Sequence, residues 1–385
     1  MMSGVTDPIA GRIVNPRSDG VVYGPGVARS ELASLLDRLG TSRAFLVTTP
    51  SLNRSGVAAD VAGWLGDRCA GTFTGSRQHT PAPVVVEAAR VASTTGADGL
   101  VSLGGSSVVD LTKGVALLLG GGDLADHRLV PGAPRRPDDR TPKLPHVAVP
   151  TTLSGAEFTS VAGITDPELG EKQMYADRGL IPRWVVFDSE LAESCPARLW
   201  AGTGMKVVAD TIEVLCARRA NPQTEALALG ALRLLVAELG PATADRTDRG
   251  MCQFAVAMVF PQLAAVGVGL VAALRHQLGG GLGIPHGEAS TIVLPHVMRY
   301  NLPAAEDRYR RAAATLGLST AEELIARIEQ LTAELGLPGR LRDTGIARHD
   351  LDGAVVGHVL ADVGSRGNIA PVDAAGVSQV LDAAW

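Results

Sequence analysis

Gly99-Leu-Val-Ser-Leu103-Gly104-Gly105-Ser106-Ser107-Val-Val-Asp110-Leu-Thr-Lys113 reads as a short buried strand, a turn at two glycines and the opening of a helix. The glycines let the backbone come close to a pyrophosphate. The unpaired amides and the dipole at a helix start favour its negative charge. The spacing departs from the G-x-G-x-x-G dinucleotide fingerprint, and a Gly-Gly-Ser turn also serves simply to reverse a chain. The stretch takes its meaning from what flanks it.

On both sides, short β-rich runs alternate with amphipathic helical runs. Arg43–Thr49 reads as a strand ending at Pro50, and Gly99–Leu103, His146–Pro150 and Trp184–Asp188 as further strands. Ser55–Leu65, Pro83–Ser93 and Val108–Leu119 read as helices, and Gly121–Pro145 as a long surface loop. This alternation predicts a parallel, Rossmann-like sheet flanked by helices over residues 1–188. From residue 189 to 385 strand signals nearly vanish, and Gly204–Ala217, Thr224–Leu239 and Thr320–Leu335 carry helical periodicity. The expectation is an α/β nucleotide-binding domain followed by an all-helical domain, with the site in the cleft between them. A second loop strengthens the first. Pro150-Thr151-Thr152-Leu-Ser154-Gly155-Ala-Glu157 also follows a strand and is dense in hydroxyls that suit phosphate or ribose. A polar turn with a helix cap would read the same way.

Composition bounds the function. The 385 residues carry 19% charged and 46% hydrophobic residues, a globular balance, and a formal charge of -5 gives no electrostatic footprint for nucleic acid or an anionic membrane. Cys69, Cys195, Cys216 and Cys252 show no C-x-x-C pairing and read as thiols in a reducing compartment, the cytoplasm. The stretch MMSGVTDPIAGRIVNP lacks the apolar core of a secretory signal. Phe254–Leu274 is uncharged but holds Pro261 and Gln262, so a buried helix pair is expected rather than a membrane span.

In the second half, two imidazoles bracket a glycine-rich turn in His276-Gln-Leu-Gly-Gly-Gly-Leu-Gly-Ile-Pro-His286-Gly-Glu. Upstream, Gly204-Met205-Lys206-Val-Val-Ala-Asp210 places a lysine and an aspartate four apart, on one helix face, where they can pair. Arg275 suits a substrate carboxylate, but periodicity does not say which way it points. His79, His296 and Arg366 are weaker candidates.

The two loops, in this order, resemble those of the iron-containing alcohol dehydrogenase superfamily, which also holds the dehydroquinate synthase and glycerol dehydrogenase branches. The family's phosphate loop, G-G-G-S-x-x-D-x-x-K, is matched at Gly104, Gly105, Ser107, Asp110 and Lys113, with Ser106 in place of the third glycine. The likeness runs nearly end to end and is nearest the maleylacetate reductase branch. It is supported by Gln78-His79-Thr80-Pro81, Ile164-Thr165-Asp166, Ala220-Asn221-Pro222, Leu294-Pro295-His296 and Asn368-Ile-Ala-Pro371.

The resemblance implies the dehydroquinate synthase-like fold and NAD(H) or NADP(H) bound by Gly104, Gly105, Ser106, Ser107, Asp110, Thr151, Thr152 and Ser154, with Lys172 near the ribose or nicotinamide. Thr49 falls where many members place an aspartate on the adenosine 2′-hydroxyl, so no carboxylate there repels a 2′-phosphate. It also implies a homodimer. The superfamily's metal sits on an Asp and a His four apart plus two further histidines. The resemblance puts these on Lys206, Asp210, Ala272 and His286, a set too poor for Fe²⁺ or Zn²⁺. No divalent metal is expected.

The expected activity is that of an NAD(P)H-dependent, maleylacetate reductase-like enzyme acting on a small carbonyl compound. Lys206, paired with Asp210, offsets developing charge, and His276 or His286 supplies a proton. The rivals are a non-redox enzyme on the same fold, catalysing elimination, isomerisation or carbon–carbon chemistry, and a catalytically silent subunit.

Overall fold

Runs of buried Val, Leu, Ala and Phe build the first half of the chain around one sheet. The computed structural model describes residues 18–121, 123–129, 143–168, 171–245 and 249–385. The N-terminal stretch read for a secretory signal, and residues 122 and 130–142 of the 121–145 loop, lie outside these. In chain order the first half contains β1 (Gly20–Gly24), α1 (Val27–Arg38), β2 (Ala44–Val47), α2 (Pro50–Arg54), α3 (Val57–Leu65), β3 (Cys69–Phe73) and α4 (Ala82–Thr95). It continues with β4 (Gly99–Gly104), α5 (Ser106–Leu119), β5 (His146–Pro150), β6 (Val161–Asp166), β7 (Glu171–Ala176) and β8 (Trp184–Asp188).

Six of these strands form a parallel sheet in the order β1-β8-β5-β4-β2-β3, and β6 and β7 pair antiparallel beside it. Alternation along the strands decides which layer each face meets. On β2, Phe45 and Val47 pack with α4 and α5, whereas Ala44 and Leu46 pack with α1 and α3. The ends of β2, β4 and β5 deliver Thr49, Gly104 and Pro150 to one edge, where doubly wound sheets bind ligands.

The structure moves several boundaries. The strand read to Thr49 stops at Val47, because Thr49 caps α2 through a bond from the Leu52 amide and Pro50 opens that helix rather than ending the strand. The helix read from Ser55 starts at Val57, since Gly56 at φ 86 breaks it from α2. The helix read from Val108 starts two residues earlier, at Ser106, with Gly105 as its cap.

The second half holds α6 (Ser189–Ala192), α7 (Ala197–Cys216), α8 (Pro222–Ala244), α9 (Gly250–Val266), α10 (Leu270–Gly280), α11 (His286–Thr315), α12 (Ala321–Glu334), α13 (Gly353–Ala361), α14 (Val363–Gly367) and α15 (Ala374–Ala384). Among the described residues no strand follows Asp188. One core, which includes the fully buried Trp200 and Met205 of α7, joins most of these helices. The uncharged Phe254–Leu274 run is two helices bent by 99°, not one span. α8 is long and apolar enough to cross a membrane, but it packs along α7 and α9.

Candidate active site

The glycine turn that opened the sequence analysis is a backbone cradle. Gly104 sits at φ 148, and a Cβ there would lie 2.7 Å from Val108 Cγ2. A Cβ on Gly105 would lie 3.1 Å from Thr152 Cγ2, so the second loop comes up against the first. The Thr151 amide donates to the Gly104 carbonyl at 3.0 Å and locks the two together. At the start of α5, Gly105 receives the Val108 and Val109 amides. The helix's first amides, on exposed Ser106 and half-buried Ser107, have no partner within it. Thr152 Oγ1 and Ser154 Oγ are buried hydroxyls without a partner among the described residues. Unpaired hydroxyls beside a free helix N-terminus suit the phosphates and ribose of a dinucleotide.

Two members of the expected set do other work. Asp110 lies beneath the loop, its Oδ2 accepting from the Gly163 amide at 3.2 Å and 3.9 Å from Lys172 Nζ, so it ties the β6–β7 hairpin to α5. The Thr49 hydroxyl is engaged by its own cap and by Ser51 Oγ at 2.9 Å. Lys113, fully buried, donates to the carbonyls of Ala156 and Val161 and to Thr159 Oγ1, holding the second loop to α5. Lys172 passes over Gly163, where any Cβ would collide with its stem, and its charge reaches His286.

Across the cleft, Lys206 Nζ donates to Asp210 Oδ2 at 2.8 Å and to the Ser154 carbonyl at 3.1 Å, and lies 4.2 Å from the Phe260 ring centroid. The helical lysine thus touches the nucleotide loop directly. Arg275 does not reach outward for a substrate. Its Nη1 donates to Asp210 Oδ1 at 2.9 Å and to Ser290 Oγ at 3.2 Å, because α10 packs against α7 and α11 and turns that face inward. Asp210, at 0% exposure, is therefore shared by two cations. Burial pushes its carboxyl up, but the Arg275 and Lys206 charges outweigh this and hold it below the ordinary carboxylate range. Burial, with Arg275 beside it, pushes the Lys206 ammonium down, against Asp210.

The glycine-rich turn is required by close packing. A Cβ on Gly279 would collide with the His286 ring, and one on Gly287 would collide with the Gly202 backbone of α7. The turn brings His276 and His286 to 6.3 Å between ring centroids. His286 opens α11, and burial together with Arg275, Lys172, His276 and Lys206 holds it well below the usual histidine range. His276 Nδ1 lies 3.0 Å from Asp362 Oδ2, a partner that the sequence reading did not find.

Two further buried acids also escaped the sequence. Burial pushes Glu157 and Glu213 each up to about 7. Among the described residues, both oxygens of Glu157 and Oε2 of Glu213 lack hydrogen-bond partners. His79 and Arg366 are exposed, and His296 lies half-buried on α11 away from the pair of imidazoles.

The donor set does not suit a divalent metal. Lys206 and Arg275 offer only N–H donors, Ala272 offers no ligand atom, and Asp210 has both oxygens committed. Among the described residues no group of three or more His, Cys, Asp or Glu could hold an ion.

Comparison with known proteins follows the same lines. The iron-containing alcohol dehydrogenase family model matches residues 18–189, and the model for the C-terminal part of the Fe-containing alcohol dehydrogenase family matches residues 200–385. The chain is 33% identical over 335 residues to a maleylacetate reductase of Burkholderia cepacia, covering 86% of each. It is 31% identical to the lactaldehyde reductase of Escherichia coli K12, covering 94% of this chain and 97% of that one. The crystal structure of maleylacetate reductase from Agrobacterium tumefaciens superposes with a TM-score of 0.81 at 28% identity, covering 99% of both chains.

Proposed function

Because the chain belongs to the iron-containing alcohol dehydrogenase family, and so is an NAD(P)-dependent reductase, we propose that it reduces a small carbonyl compound, a carboxylated one included, without a catalytic metal. The observation that carries this is the buried Asp210 held between Lys206 and Arg275, where the resemblance puts metal ligands. The division into a nucleotide-binding domain, 1–188, and a helical domain, 189–385, is supported by the end of the last sheet strand at Asp188.

The reduced nicotinamide supplies hydride when bound. The chain's own groups provide the rest. Gly104, Gly105 and the first amides of α5 admit the phosphates, with Thr152 and Ser154 giving the hydroxyls that lack partners. Lys206 stands where negative charge develops on the carbonyl oxygen. It is anchored to Asp210 and the Ser154 carbonyl, and a preorganised cation in a water-poor site needs no reorganisation as the charge appears. Arg275 keeps Asp210 ionised and thereby keeps Lys206 in place. His276 or His286 delivers the proton that completes the alcohol. A metal would act as a Lewis acid at the same oxygen, which is the role the ammonium takes over.

The test is metal analysis of the purified protein together with NADH and NADPH binding and turnover of candidate carbonyl and 2-oxo acid substrates. No stoichiometric iron or zinc, tight nucleotide binding and steady nucleotide oxidation are the expected results. Stoichiometric metal that chelation removes together with activity would overturn the metal-free mechanism.

A further inference from the structure

We infer that Asp362 is the positioning residue that orients His276 as the proton donor of the cleft, a role that rests on the reductase reading above. The contact is 3.0 Å between His276 Nδ1 and Asp362 Oδ2. The aspartate is itself fixed. Its Oδ1 accepts the Gly364 amide at 2.8 Å and so caps α14. α14 is pressed onto α10, where a Cβ on Gly364 would collide with the Gly269 carbonyl and come within 3.1 Å of the Ala273 amide. Acid and imidazole thus stand on two elements in direct backbone contact, and neither can drift from the other.

The chemistry follows from the ionisation of the acid. Burial pushes the Asp362 carboxyl up, but the hydrogen bond and charge of His276, the Gly364 amide and the Arg275 guanidinium outweigh it and carry it below the ordinary carboxylate range. An ionised carboxylate only accepts, so Nδ1 of His276 carries the hydrogen and Nε2 is the nitrogen left free. The side chain is 39% exposed and faces the second imidazole. A carboxylate behind the ring also fixes its tautomer and orientation, as in the aspartate–histidine half of a hydrolase triad. His286 has no such support. Its charged neighbours are Arg275, Lys172, His276 and Lys206, and two of these, Lys206 and Arg275, are themselves held by Asp210. Of the two imidazoles, only His276 has a carboxylate partner among the described residues.

Asp362→Asn separates this role from a merely structural one. Asparagine caps helices as well as aspartate, so its oxygen can keep the Gly364 amide and α14 in place. Its amide then presents N–H to Nδ1, which forces Nδ1 to accept and moves the hydrogen of the neutral ring to Nε2. The measurements are the ¹⁵N signals of the His276 ring, assigned against His276→Gln, with nucleotide affinity and steady-state kinetics on the same samples. In the wild type, Nδ1 carries the hydrogen. In Asp362→Asn the tautomer inverts and kcat falls roughly 10²-fold or more, within the range that general acid catalysis supplies, while nucleotide Kd and KM change little. His276→Gln falls as far, and combining the two changes costs nothing further. An unchanged tautomer, or kcat within about threefold of the wild type, overturns the inference. A wild type that oxidises neither NADH nor NADPH with any carbonyl overturns the reductase reading and the donor role with it, while the ring signals still decide whether Asp362 orients His276.

Discussion

Lys206→Met removes one of the two cations on Asp210 and leaves the shape of the site nearly intact. The expected cost to stability is moderate. Breaking a fully buried ion pair costs about 3–5 kcal/mol, but Arg275 stays 2.9 Å from the same carboxylate, so the loss should be about 1–3 kcal/mol. The cation–π contact with Phe260 is part of that loss. The cost to catalysis should be larger in relative terms. If the ammonium meets the developing oxyanion, its removal should lower kcat about 10²–10³-fold, as removal of a single oxyanion donor does. Nucleotide affinity should hold, because the contacts of Lys206 with that loop end at the Ser154 carbonyl and its methionine replacement still covers Phe260. The assay is reduced-nucleotide oxidation under saturating substrate, with nucleotide binding and chemical denaturation on the same variant. Lys206→Met/Asp210→Asn should lose further stability, since buried Arg275 is then left without its carboxylate, and should recover none of the turnover. A kcat within about threefold of the wild type, at unchanged nucleotide affinity, would refute the assignment of Lys206 to the oxyanion and leave it as a structural ion pair.

Other outcomes follow from the same geometry. Gly105→Ala places a methyl 3.1 Å from Thr152 and should weaken nucleotide binding about tenfold, read by fluorescence titration, with a small effect on melting. Glu213, buried and pushed up to about 7, holds its proton more tightly in the folded chain than in the unfolded one. It therefore favours folding most below the ordinary carboxylate value of 4.5, and that contribution is lost as pH rises towards about 7. Glu213→Gln keeps an acceptor for the Ala272 amide and should flatten that decline. Above neutrality it should be more stable than the wild type by up to roughly 3 kcal/mol in urea denaturation. Thr49→Asp should weaken NADPH binding relative to NADH by about tenfold or more, and equal effects on both nucleotides would place the 2′-phosphate elsewhere.

Much of this architecture was legible because it rests on local rules. His146–Pro150 and Trp184–Asp188 are strands over the residues read from sequence, as buried apolar runs bounded by polar or proline breaks. Two edge strands escape the reading: β3 carries Cys, Ala and Gly where central strands carry Val and Leu, and β1 is only three β-favouring residues, Val21-Val-Tyr23, between glycines. The β6–β7 hairpin was missed because Glu171-Lys-Gln-Met-Tyr-Ala176 mixes polar and apolar residues without a dominant face. At the site, the nucleotide cradle follows from a local turn, but the charge network does not. Periodicity puts Arg275 on α10 and says nothing of which neighbouring helix it meets. Asp362 stands 86 residues from the histidine it holds. The orphaned oxygens of Glu157 and Glu213 become visible only once the core closes over them.

On the metal-free reading proposed above, the network accounts for how a site keeps its electrostatics without metal ligands. By the resemblance, relatives place a divalent ion beside one aspartate, which leaves one net positive charge facing the substrate. Here two side-chain cations share one buried aspartate, which again leaves one. Glu157 and Glu213 alter that balance little below neutral pH, since burial keeps both protonated up to about 7. The surplus is not spread evenly. Arg275 is 4% exposed and has Ser290 as a second anchor, so it serves the aspartate. Lys206 is the outward member, bonded to the nucleotide loop, with an ammonium that has three donors and two protein acceptors. Its remaining donor is the one a carbonyl oxygen can take. A lysine in that position polarises less strongly than a metal, but it avoids the geometric demands of a full ligand set. On that reading, Lys206 and Asp210 in the ligand positions are coherent only together with Arg275, and Arg275→Met should remove the surplus charge and lower kcat, read by reduced-nucleotide oxidation.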